Sequence, residues 1–334
     1  MAITLKDIAA IAGISVNSVS RALKDKSDIS VETRQRVKTI AASLGYRPNL
    51  NARSLVLKKS SLIGLAVTEP DNPVRMEFCE RLRFLAEKDG YHLLIAGFQP
   101  LGETPDVLAV ENLLGRGIDG LIAGYFSGII AEQPIGELLR QCRASQFPTV
   151  LFGAVETELC DHIYIDFEKS VYELTVHMLR QGIVPEAFFS VFQERRVAGY
   201  RRALREFHVE SAERLVYLPA PGYVPAAEAI TRRLKEGAQA PRGIIAGNDI
   251  AAIGIITALR RRGLKVPEDV AVAGIDNTEH GAFYNPSLTS IGFERNGFAD
   301  KIWEMLHDRL TNGMDGMSRR VVLNQQLVVR ESCP

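Results

Sequence analysis

The sequence predicts an all-α helix-turn-helix headpiece followed by an α/β body of doubly wound parallel sheets. Three observations lead to this fold class. Residues 5–23 carry two short helical patterns separated by a single glycine. From Ser61 onward, short apolar runs alternate with helical stretches, which is typical of parallel sheets covered by helices. The length of 334 residues exceeds that of one ordinary hydrophobic core, so we expect more than one domain.

Charge separates the two ends of the chain. The net charge is zero, but residues 1–60 hold eleven Lys and Arg against four Asp and Glu, which leaves +7 on this part and −7 on the rest. A compact basic segment favours a polyanion partner, although a solvated helical surface can be basic without one. The four cysteines show no CxxC spacing, so we expect thiols in a reducing cytoplasm and neither disulfides nor a metal site.

Several classes of function have no support in the sequence. No apolar run reaches the roughly 18 residues that span a membrane. The N-terminus lacks the layout of a secretion signal, so we expect a cytoplasmic protein with no membrane partner. No GxGxxG follows the first strand, and no GxxxxGK[ST] occurs. The six histidines lie in no HExxH or GxSxG setting, so neither an enzyme nor a cofactor is expected.

Local signals define three helices in the headpiece. Thr4 and Asp7 resemble a capping box, with Asp in the place usually taken by Glu or Gln, and Gly13 ends the first helix. Ser15 caps a second helix and Ser30 a third. Apolar residues at helical spacing form the predicted inner faces: Leu5, Ile8, Ala9, Ala12, Val19, Ala22, Leu23, Val37, Ile40, Ala41 and Leu44. The first two helices and their glycine turn are a helix-turn-helix.

The outer face of the second helix carries chemistry suited to nucleic acid. Val16, Asn17, Ser20 and Arg21 are left on or near this face. A recognition helix places such residues against base edges in the major groove. There Asn17 can pair with adenine and Arg21 with guanine, or either can reach a phosphate, and Val16 can touch a thymine methyl. The alternative is a three-helix bundle that binds protein.

Residues 4–55 resemble, without gaps, the DNA-binding headpiece of the lac repressor/gal repressor (LacI/GalR) family of bacterial transcription regulators. The run reads TLKDIAAIAGISVNSVSRALKDKSDISVETRQRVKTIAASLGYRPNLNARSL. The resemblance implies that Val16, Asn17 and Arg21 read bases. It also implies a set of residues that contact or position the sugar-phosphate backbone: Thr4, Leu5, Ser15, Ser20, Ser30 and Thr33. We therefore predict a headpiece over residues 1–47.

Residues 48–60 are predicted to form a hinge helix and linker. The resemblance assigns the hinge helix to NLNARSL, with Asn49, Ala52 and Leu55 on the DNA. Helices this short are marginal alone in water, so two copies in a dimer would stabilise each other on the duplex. Leu55 would be the apolar wedge that enters a minor-groove step and kinks the DNA. The alternative is a plain linker.

Residues 61–334 form the predicted body. Near-continuous apolar runs indicate buried parallel strands: SLIGLAV, YHLLIAGF, DGLIAGY, PTVLFGA, HIYIDF, AFFSVF, LVYLPA, GIIAGN and VAVAGID. Nine or more strands suit two sheets better than one. Runs such as GIDGLI, RRVAGYRRAL and NPSLTSI resemble the same family's effector-binding core, a two-lobed, periplasmic-binding-protein-like (type I) fold. The resemblance implies an N-lobe of about 61–161 and 292–316 and a C-lobe of about 162–291 and 317–334.

The crevice between the lobes is the predicted effector site, because ligands bind at the carboxyl ends of parallel strands. The resemblance implies that Arg196, Asn248 and Asp276 contact a sugar-like effector, and it places Phe293 in the same effector site. A helix cap at Asn248 and a loop turn at Asp276 are the structural alternatives. The chain departs from the family where Gly153 replaces an aspartate, Phe293 replaces a glutamine and the loop before Arg196 is short. A more apolar, larger or absent ligand therefore stays an alternative.

These observations predict a cytoplasmic, dimeric transcription regulator, most often a repressor in the resembled family. One headpiece buries too little surface to bind specifically, whereas a two-fold pair reads a pseudo-palindromic operator at fixed spacing. An effector in the crevice would change the angle between the lobes and so bias the DNA complex. The alternatives are a regulator controlled by a protein partner, a solute-binding protein, which would need a signal peptide, and an α/β enzyme.

Overall fold

Two units make up the chain, Met1–Ser60 and Ser61–Pro334. The computed structural model describes residues 3–46, 59–68, 73–98, 107–190, 194–209, 215–218, 222–236, 239–294 and 297–334. Most of the predicted hinge, with Asn49, Ala52 and Leu55, lies outside the described residues.

Three short helices form the first unit: α1 (Leu5–Ala12), α2 (Val16–Leu23) and α3 (Val31–Ser43). The start of α1 is held by Asp7, whose carboxylate accepts from the backbone nitrogen and the hydroxyl of Thr4, each at 2.8 Å. Its end is Gly13, whose φ of 67° lies in the left-handed region that glycine adopts at no steric cost. Both predicted ends of the first helix are confirmed.

Serine caps begin the other two helices. Ser15 Oγ accepts from the backbone nitrogen of Ser18 at 3.0 Å, and Ser30 Oγ accepts from that of Thr33 at 3.2 Å. The core between the helices buries small and aliphatic side chains: Ile8, Ala9, Ala12, Val19, Ala22, Val37 and Ala41. The rest of the predicted inner faces is half-buried at its edge: Leu5, Leu23, Ile40 and Leu44. The predicted helical faces are therefore confirmed.

Strands and helices alternate through the second unit. The first part of it contains β1 (Leu62–Thr68), α4 (Pro73–Lys88), β2 (His92–Phe98), α5 (Val107–Leu114), β3 (Gly120–Ile129), α6 (Ile135–Ala144), β4 (Thr149–Glu156) and β5 (Asp161–Ile165). The second part contains α7 (Phe167–Arg180), β6 (Pro185–Ser190), α8 (Glu194–Glu206), β7 (Leu215–Tyr217), α9 (Tyr223–Lys235), β8 (Gly243–Ala246), α10 (Asp249–Arg261), β9 (Ala271–Ile275), α11 (Glu279–Ala282) and β10 (Thr289–Gly292). The last part contains α12 (Gly297–Asn312), β11 (Arg320–Leu323) and β12 (Gln326–Val328).

These strands form two six-stranded sheets. The N-lobe sheet has the order β11-β5-β4-β3-β1-β2, and all its pairs are parallel. The C-lobe sheet has the order β12-β10-β9-β8-β6-β7, and only the β12 edge is antiparallel. The chain crosses between the lobes after β5, after β10 and after β11, so three crossovers join them.

Two of the predicted lobe boundaries are wrong by one strand each. They assign residues from 162 and from 317 onward to the C-lobe, but β5 and β11 pair with each other in the N-lobe sheet. β5 also runs alongside β4, and the chain leaves the N-lobe only where Asp166 caps α7 by accepting from the backbone nitrogen of Lys169. The change of lobe therefore comes at the carboxyl end of each strand and not before it.

Helices cover both faces of each sheet. In the N-lobe, α4 and α12 bury one cluster that includes Leu82, Phe152 and Trp303, while α5 and α6 bury another on the opposite face. In the C-lobe, α9 and α10 cover one face and α7 and α8 the other. The doubly wound α/β body is therefore confirmed, and the carboxyl ends of its strands are free to form a site.

A buried ion cluster closes the amino end of β5. Arg309 Nε and Nη2 each donate to the Asp161 carboxylate at 2.9 Å, and Arg319 donates to the same carboxylate through its backbone and its guanidinium. Asp161 is 1% exposed and Arg309 6%. A cavity of about 260 Å³ adjoins the cluster, but it lies at the opposite end of β5 from the carboxyl edge.

Searches for membrane and metal sites cover the described ranges only. No helix among them is long and apolar enough to cross a membrane. No group of three or more His, Cys, Asp or Glu in the same ranges is placed to hold a metal ion. All four cysteines are buried and free.

Candidate functional sites

The outer face of α2 presents the three candidate base readers. Val16 is 39% exposed, Asn17 and Arg21 are exposed, and Ser20 is half-buried beside them. The opposite face of α2 packs into the headpiece core through Val19 and Ala22. This packing fixes the orientation of the exposed surface. A methyl surface, an amide and a guanidinium are the groups that match a thymine methyl, an adenine edge and a guanine edge.

The candidate backbone-contacting residues lie at or near helix starts: Thr4, Leu5, Ser15, Ser30 and Thr33. Helix starts carry unpaired N–H groups and a partial positive charge, which favour a phosphate. Leu5 is half-buried against the core, so its contribution would come from its backbone N–H. Ser30 donates its hydroxyl proton to the Thr33 hydroxyl at 2.9 Å, which holds these two side chains together at the start of α3.

Arg21 is already paired within the headpiece. Its Nη2 lies 2.5 Å from Oδ2 of Asp28, in the loop between α2 and α3. The Arg21 hydrogen bond holds the pKa of Asp28 below its ordinary value. Sequence reasoning missed this carboxylate, although an acid seven residues beyond a candidate base reader was a visible signal.

Arg196 lies at the carboxyl edge of the C-lobe sheet. It is buried on α8, donates through Nη1 to the carbonyl of Gly247, and stacks its guanidinium 4.4 Å from the centre of the Phe167 ring. These contacts hold the side chain at the end of β8, where a crevice ligand would meet it.

Asn248 caps α10, as the structural alternative predicts. Its Oδ1 accepts from the backbone nitrogen of Ala251 at 2.8 Å. The carbonyl oxygen of this amide is therefore already used, and only its amide nitrogen remains to donate to a ligand. Asn248 and Arg196 nevertheless lie close together, because Arg196 donates to the carbonyl of Gly247, the residue directly before Asn248.

Asp276 follows β9 in a strained turn. Its φ is 115°, a conformation that side chains other than glycine rarely adopt. Its backbone nitrogen donates to the carbonyl of Ile291 at 2.8 Å, and its side chain is half-buried. Strain of this kind persists where the surroundings over-determine it, and it is common in ligand-binding turns. The turn therefore supports a ligand role for this carboxylate.

Asp249 is a buried carboxylate that sequence reasoning missed. It is 0% exposed and accepts from the Thr278 backbone at 2.7 Å, the Thr278 hydroxyl at 2.9 Å and the Ser290 hydroxyl at 2.6 Å. Burial, together with the nearby Asp276 carboxylate, raises the pKa of Asp249 to about 7, against the effect of these hydrogen bonds. Asp249 thus ties α10, the Asp276 turn and β10 into one unit.

Ser190 is a second residue that sequence reasoning missed. It ends β6, is 7% exposed, and its hydroxyl has no hydrogen-bond partner among the described residues. A Cβ on Gly247 would come 2.5 Å from this hydroxyl, so only glycine fits between Ser190 and the Arg196 contact. A serine at the end of an apolar strand was the available signal.

Phe293 lies on the N-lobe side of the β10–α12 crossover. Its ring stacks on Phe298, with centroids 5.1 Å apart and planes 11° apart. Phe298 in turn packs against Phe78 and Phe152. The position is therefore an apolar platform, and Gly153 next to Phe152 adds no polar side chain to it.

One polar contact joins the two lobes beside the candidate effector residues. Arg195 Nη1 donates to the hydroxyl of Tyr164 at 2.7 Å. Arg195 belongs to α8 of the C-lobe, and Tyr164 belongs to β5 of the N-lobe. Arg196 is the next residue along α8, so this contact between the lobes lies beside a candidate effector residue.

Two family profiles match the chain. Residues 4–49 match the profile described as "Bacterial regulatory proteins, lacI family", and residues 177–333 match the "Periplasmic binding protein-like domain". The chain carries a LacI-family DNA-binding domain. The first match covers the head with its exposed α2 face, and the second covers the C-lobe with Arg196, Asn248 and Asp276.

Several relatives of this chain are transcription regulators by name. The chain is 28% identical to catabolite control protein A of Priestia megaterium over 298 residues, covering 87% of each protein. It is 28% identical to the HTH-type transcriptional regulator DegA of Bacillus subtilis over 347 residues, covering 99% of this chain and 98% of the relative. It is also 28% identical to the HTH-type transcriptional repressor PurR of Vibrio campbellii, with 98% of each covered.

Solved structures share the fold of this chain over nearly its whole length. The lac repressor dimer bound to operator and the anti-inducer ONPF superposes with a TM-score of 0.79 at 23% identity, covering 100% of this chain and 99% of that one. The complex of the transcriptional regulator CelR with cellobiose gives a TM-score of 0.67 at 24% identity, with 99% of each covered. The predicted resemblance and fold class are confirmed, and the relatives are named as transcription regulators, not as enzymes.

Proposed function

We propose that this LacI-family regulator binds a pseudo-palindromic operator as a homodimer and responds to a small, sugar-like effector in the crevice. One observation carries the proposal: a capped helix-turn-helix exposes Val16, Asn17 and Arg21 together on the outer face of α2. The similar lac repressor was solved as a dimer on operator DNA, and CelR with cellobiose. A regulator of this kind works in the cytoplasm, on the nucleoid.

In the proposed DNA complex, the headpiece residues have distinct tasks. Val16, Asn17 and Arg21 read base edges in the major groove, while Ser20 and the helix-start residues hold the phosphates. The hinge is proposed to contact the minor groove through Asn49, Ala52 and Leu55. Two headpieces related by a two-fold axis read two half-sites at a fixed spacing.

The crevice suits a ligand with hydroxyl groups and one apolar face. Arg196 donates, Asp276 accepts, and Asn248 offers its amide nitrogen, while Phe293 supplies a flat apolar surface. The retained Arg196 and Asp276 favour this function over control by a protein partner alone. Ligand binding would bias the angle between the lobes only through its different affinity for the two arrangements.

The dimer is proposed to use an apolar surface of the C-lobe. Val224 at the start of α9 is 63% exposed, and Phe283 after α11 is 83% exposed. Both residues lie beside α10. A Cβ on Gly254 of α10 would come 2.2 Å from the carbonyl oxygen of Tyr223, the residue before Val224. The hydroxyl of Thr257, also on α10, lies 2.6 Å from that of Tyr284, the residue after Phe283. Clustered exposed apolar side chains are typical of protein interfaces.

We expect Phe283→Asp to weaken dimerisation by at least about ten-fold, because a buried interface centre tolerates no unpaired charge. Sedimentation velocity over a concentration series measures the monomer–dimer equilibrium. The matched control is Met317→Asp, since Met317 is 86% exposed but belongs to the segment before β11. Equal dimerisation of wild type and Phe283→Asp would move the interface elsewhere.

The function itself is tested by selection of bound duplexes from a random-sequence pool with the full chain. The expected result is one enriched pseudo-palindrome that competes out random DNA at moderate salt. Failure to enrich any duplex, with and without a panel of sugars and sugar phosphates, would refute operator binding.

We expect Arg21→Ala to relax base preference at one position of each half-site, with a loss of about 1–3 kcal/mol at the preferred base. The control is Lys26→Ala, which removes the same charge from an exposed residue outside the proposed base-reading set. That variant should weaken binding to all duplexes alike. Measured affinities for single-base variants of the selected duplex separate the two outcomes, and an unaltered preference would assign Arg21 to phosphate or structure.

A further inference from the structure

Asp28 pairs with Arg21, one of the three candidate base readers. Its Oδ2 lies 2.5 Å from Nη2 of Arg21, and both side chains are 47% exposed. The guanidinium is therefore reachable by a duplex, but it must first give up or share a carboxylate supplied by its own headpiece.

We propose that Asp28 is a specificity-determining residue that competes with DNA phosphates for the guanidinium of Arg21. The inference rests on the proposed function and assigns a role to a residue that does not itself read DNA. Asp28 acts on the reader, and its effect on binding passes through Arg21.

The competition discriminates because DNA sites differ in what they offer Arg21. A guanine presents two uncharged acceptors, N7 and O6, and the guanidinium has five N–H groups, so Arg21 can bind this base edge bidentately while Asp28 stays on Nη2. A non-specific site offers a phosphate, in exchange for a carboxylate of the same charge. Arg21 then stays with Asp28 and adds nothing to counterion release. The carboxylate therefore lowers affinity most for duplexes that lack the guanine.

The headpiece contains a matched control for this carboxylate. Lys38 Nζ donates to the two oxygens of Asp25 at 2.6 and 2.8 Å, and the side chains are 43% and 59% exposed. Lys38 lies on α3, outside the proposed base-reading set. Asp25→Asn and Asp28→Asn each remove one negative charge from the same headpiece, so the difference between them isolates the pairing with Arg21.

The test measures the affinities of full-length variants for the selected duplex and for a scrambled duplex over a series of salt concentrations. Asp25→Asn should strengthen binding to both duplexes by one common factor. On the scrambled duplex, Asp28→Asn should strengthen binding by about two- to five-fold more per headpiece than Asp25→Asn does. On the selected duplex, its gain in affinity should be smaller. Its salt dependence on the scrambled duplex should steepen by about one ion per headpiece, because Arg21 becomes free to meet a phosphate.

A double-mutant cycle shows whether the effect passes through Arg21. In the Arg21→Ala background, Asp28→Asn and Asp25→Asn should have equal effects. The proposal is overturned if Asp25→Asn and Asp28→Asn change the affinity for the scrambled duplex equally when Arg21 is intact. It is also overturned if Asp28→Asn weakens binding to the selected duplex, because Asp28 would then hold Arg21 in place on the base. If the wild type prefers no duplex, the proposed function fails, and the role of Asp28 fails with it.

Discussion

Replacing Asp161 with alanine is expected to lower the free energy of unfolding of the N-lobe by about 3–5 kcal/mol, the usual cost of breaking a buried ion pair. The variant leaves Arg309, only 6% exposed, without its carboxylate. It also removes the acceptor for both the backbone and the guanidinium of Arg319. Trp303 is the chain's single tryptophan and lies in the N-lobe core, so its fluorescence in a denaturant titration reports unfolding of this lobe.

The control for Asp161 is another bidentate Arg–Asp pair that lies at the surface. Arg81 donates to the two oxygens of Asp300 at 2.8 and 3.1 Å, with side chains 32% and 41% exposed. Removing a pair of this kind costs about 1 kcal/mol or less, so Asp300→Ala should unfold close to wild type. Similar losses in the two variants would mean that burial does not set the strength of the Asp161 cluster.

Acid should reproduce part of the Asp161→Ala loss in the wild type. Burial opposes ionisation of Asp161, but the hydrogen bonds from Arg309 and Arg319 outweigh it and hold the pKa below the ordinary value. A lowered folded pKa gives stability that is present above the unfolded pKa, about 4 for an aspartate, and is lost as pH falls through the folded value. The gap in stability between wild type and Asp161→Ala should therefore narrow in acid.

The parts of the structure that the sequence predicts well are those fixed by near neighbours. Thr4 and Asp7 meet across one helical turn, and Gly13 ends α1 through its own backbone conformation. The outer face of α2 follows from helical spacing alone. Local chemistry of this kind is readable because the partners lie three or four residues apart.

The missed features depend on contacts between distant parts of the chain. Asp249 meets Ser290 from 41 residues away, and Asp161 meets Arg309 from 148 residues away. No spacing rule links such pairs, so a carboxylate in GND or CDH gives no sign that it will be buried. The lobe boundaries failed for the same reason, because sheet membership of β5 and β11 is decided by pairing with each other. Sequence resemblance proposes Arg196 and Asp276 as ligand contacts, but it gives no sign of Asp249, the buried acid that links the elements at their edge of the sheet.

Asp249→Asn is expected to remove a pH dependence from the stability of the C-lobe. Burial and the Asp276 carboxylate raise the folded pKa of Asp249 to about 7, well above the ordinary value of an aspartate. A raised folded pKa gives stability that is fully present below the unfolded pKa and is lost as pH rises through the folded value. The wild type should therefore lose up to about 4 kcal/mol between about pH 4 and about pH 7.

Asparagine mimics the protonated acid at this position. Its Oδ1 can accept from the Thr278 backbone and hydroxyl, and its Nδ2 can donate to the Ser290 hydroxyl, which rotates to accept. Denaturant titrations followed by far-UV circular dichroism at several pH values should give a flatter profile for Asp249→Asn. The matched control is Asp269→Asn, since Asp269 is an exposed C-lobe carboxylate that accepts from the Lys265 backbone at 2.8 Å.

A wild-type slope that persists in Asp249→Asn would assign the pH dependence to another group, and loss of the slope in Asp269→Asn would do the same. If the slope disappears only in Asp249→Asn, the buried acid is the group that charges at the carboxyl edge of the C-lobe sheet. Its negative charge then lies beside the strained turn of Asp276, which is proposed to grip the effector. Because like charges oppose each other in this buried setting, raising the pH should loosen that turn as well as the fold around it.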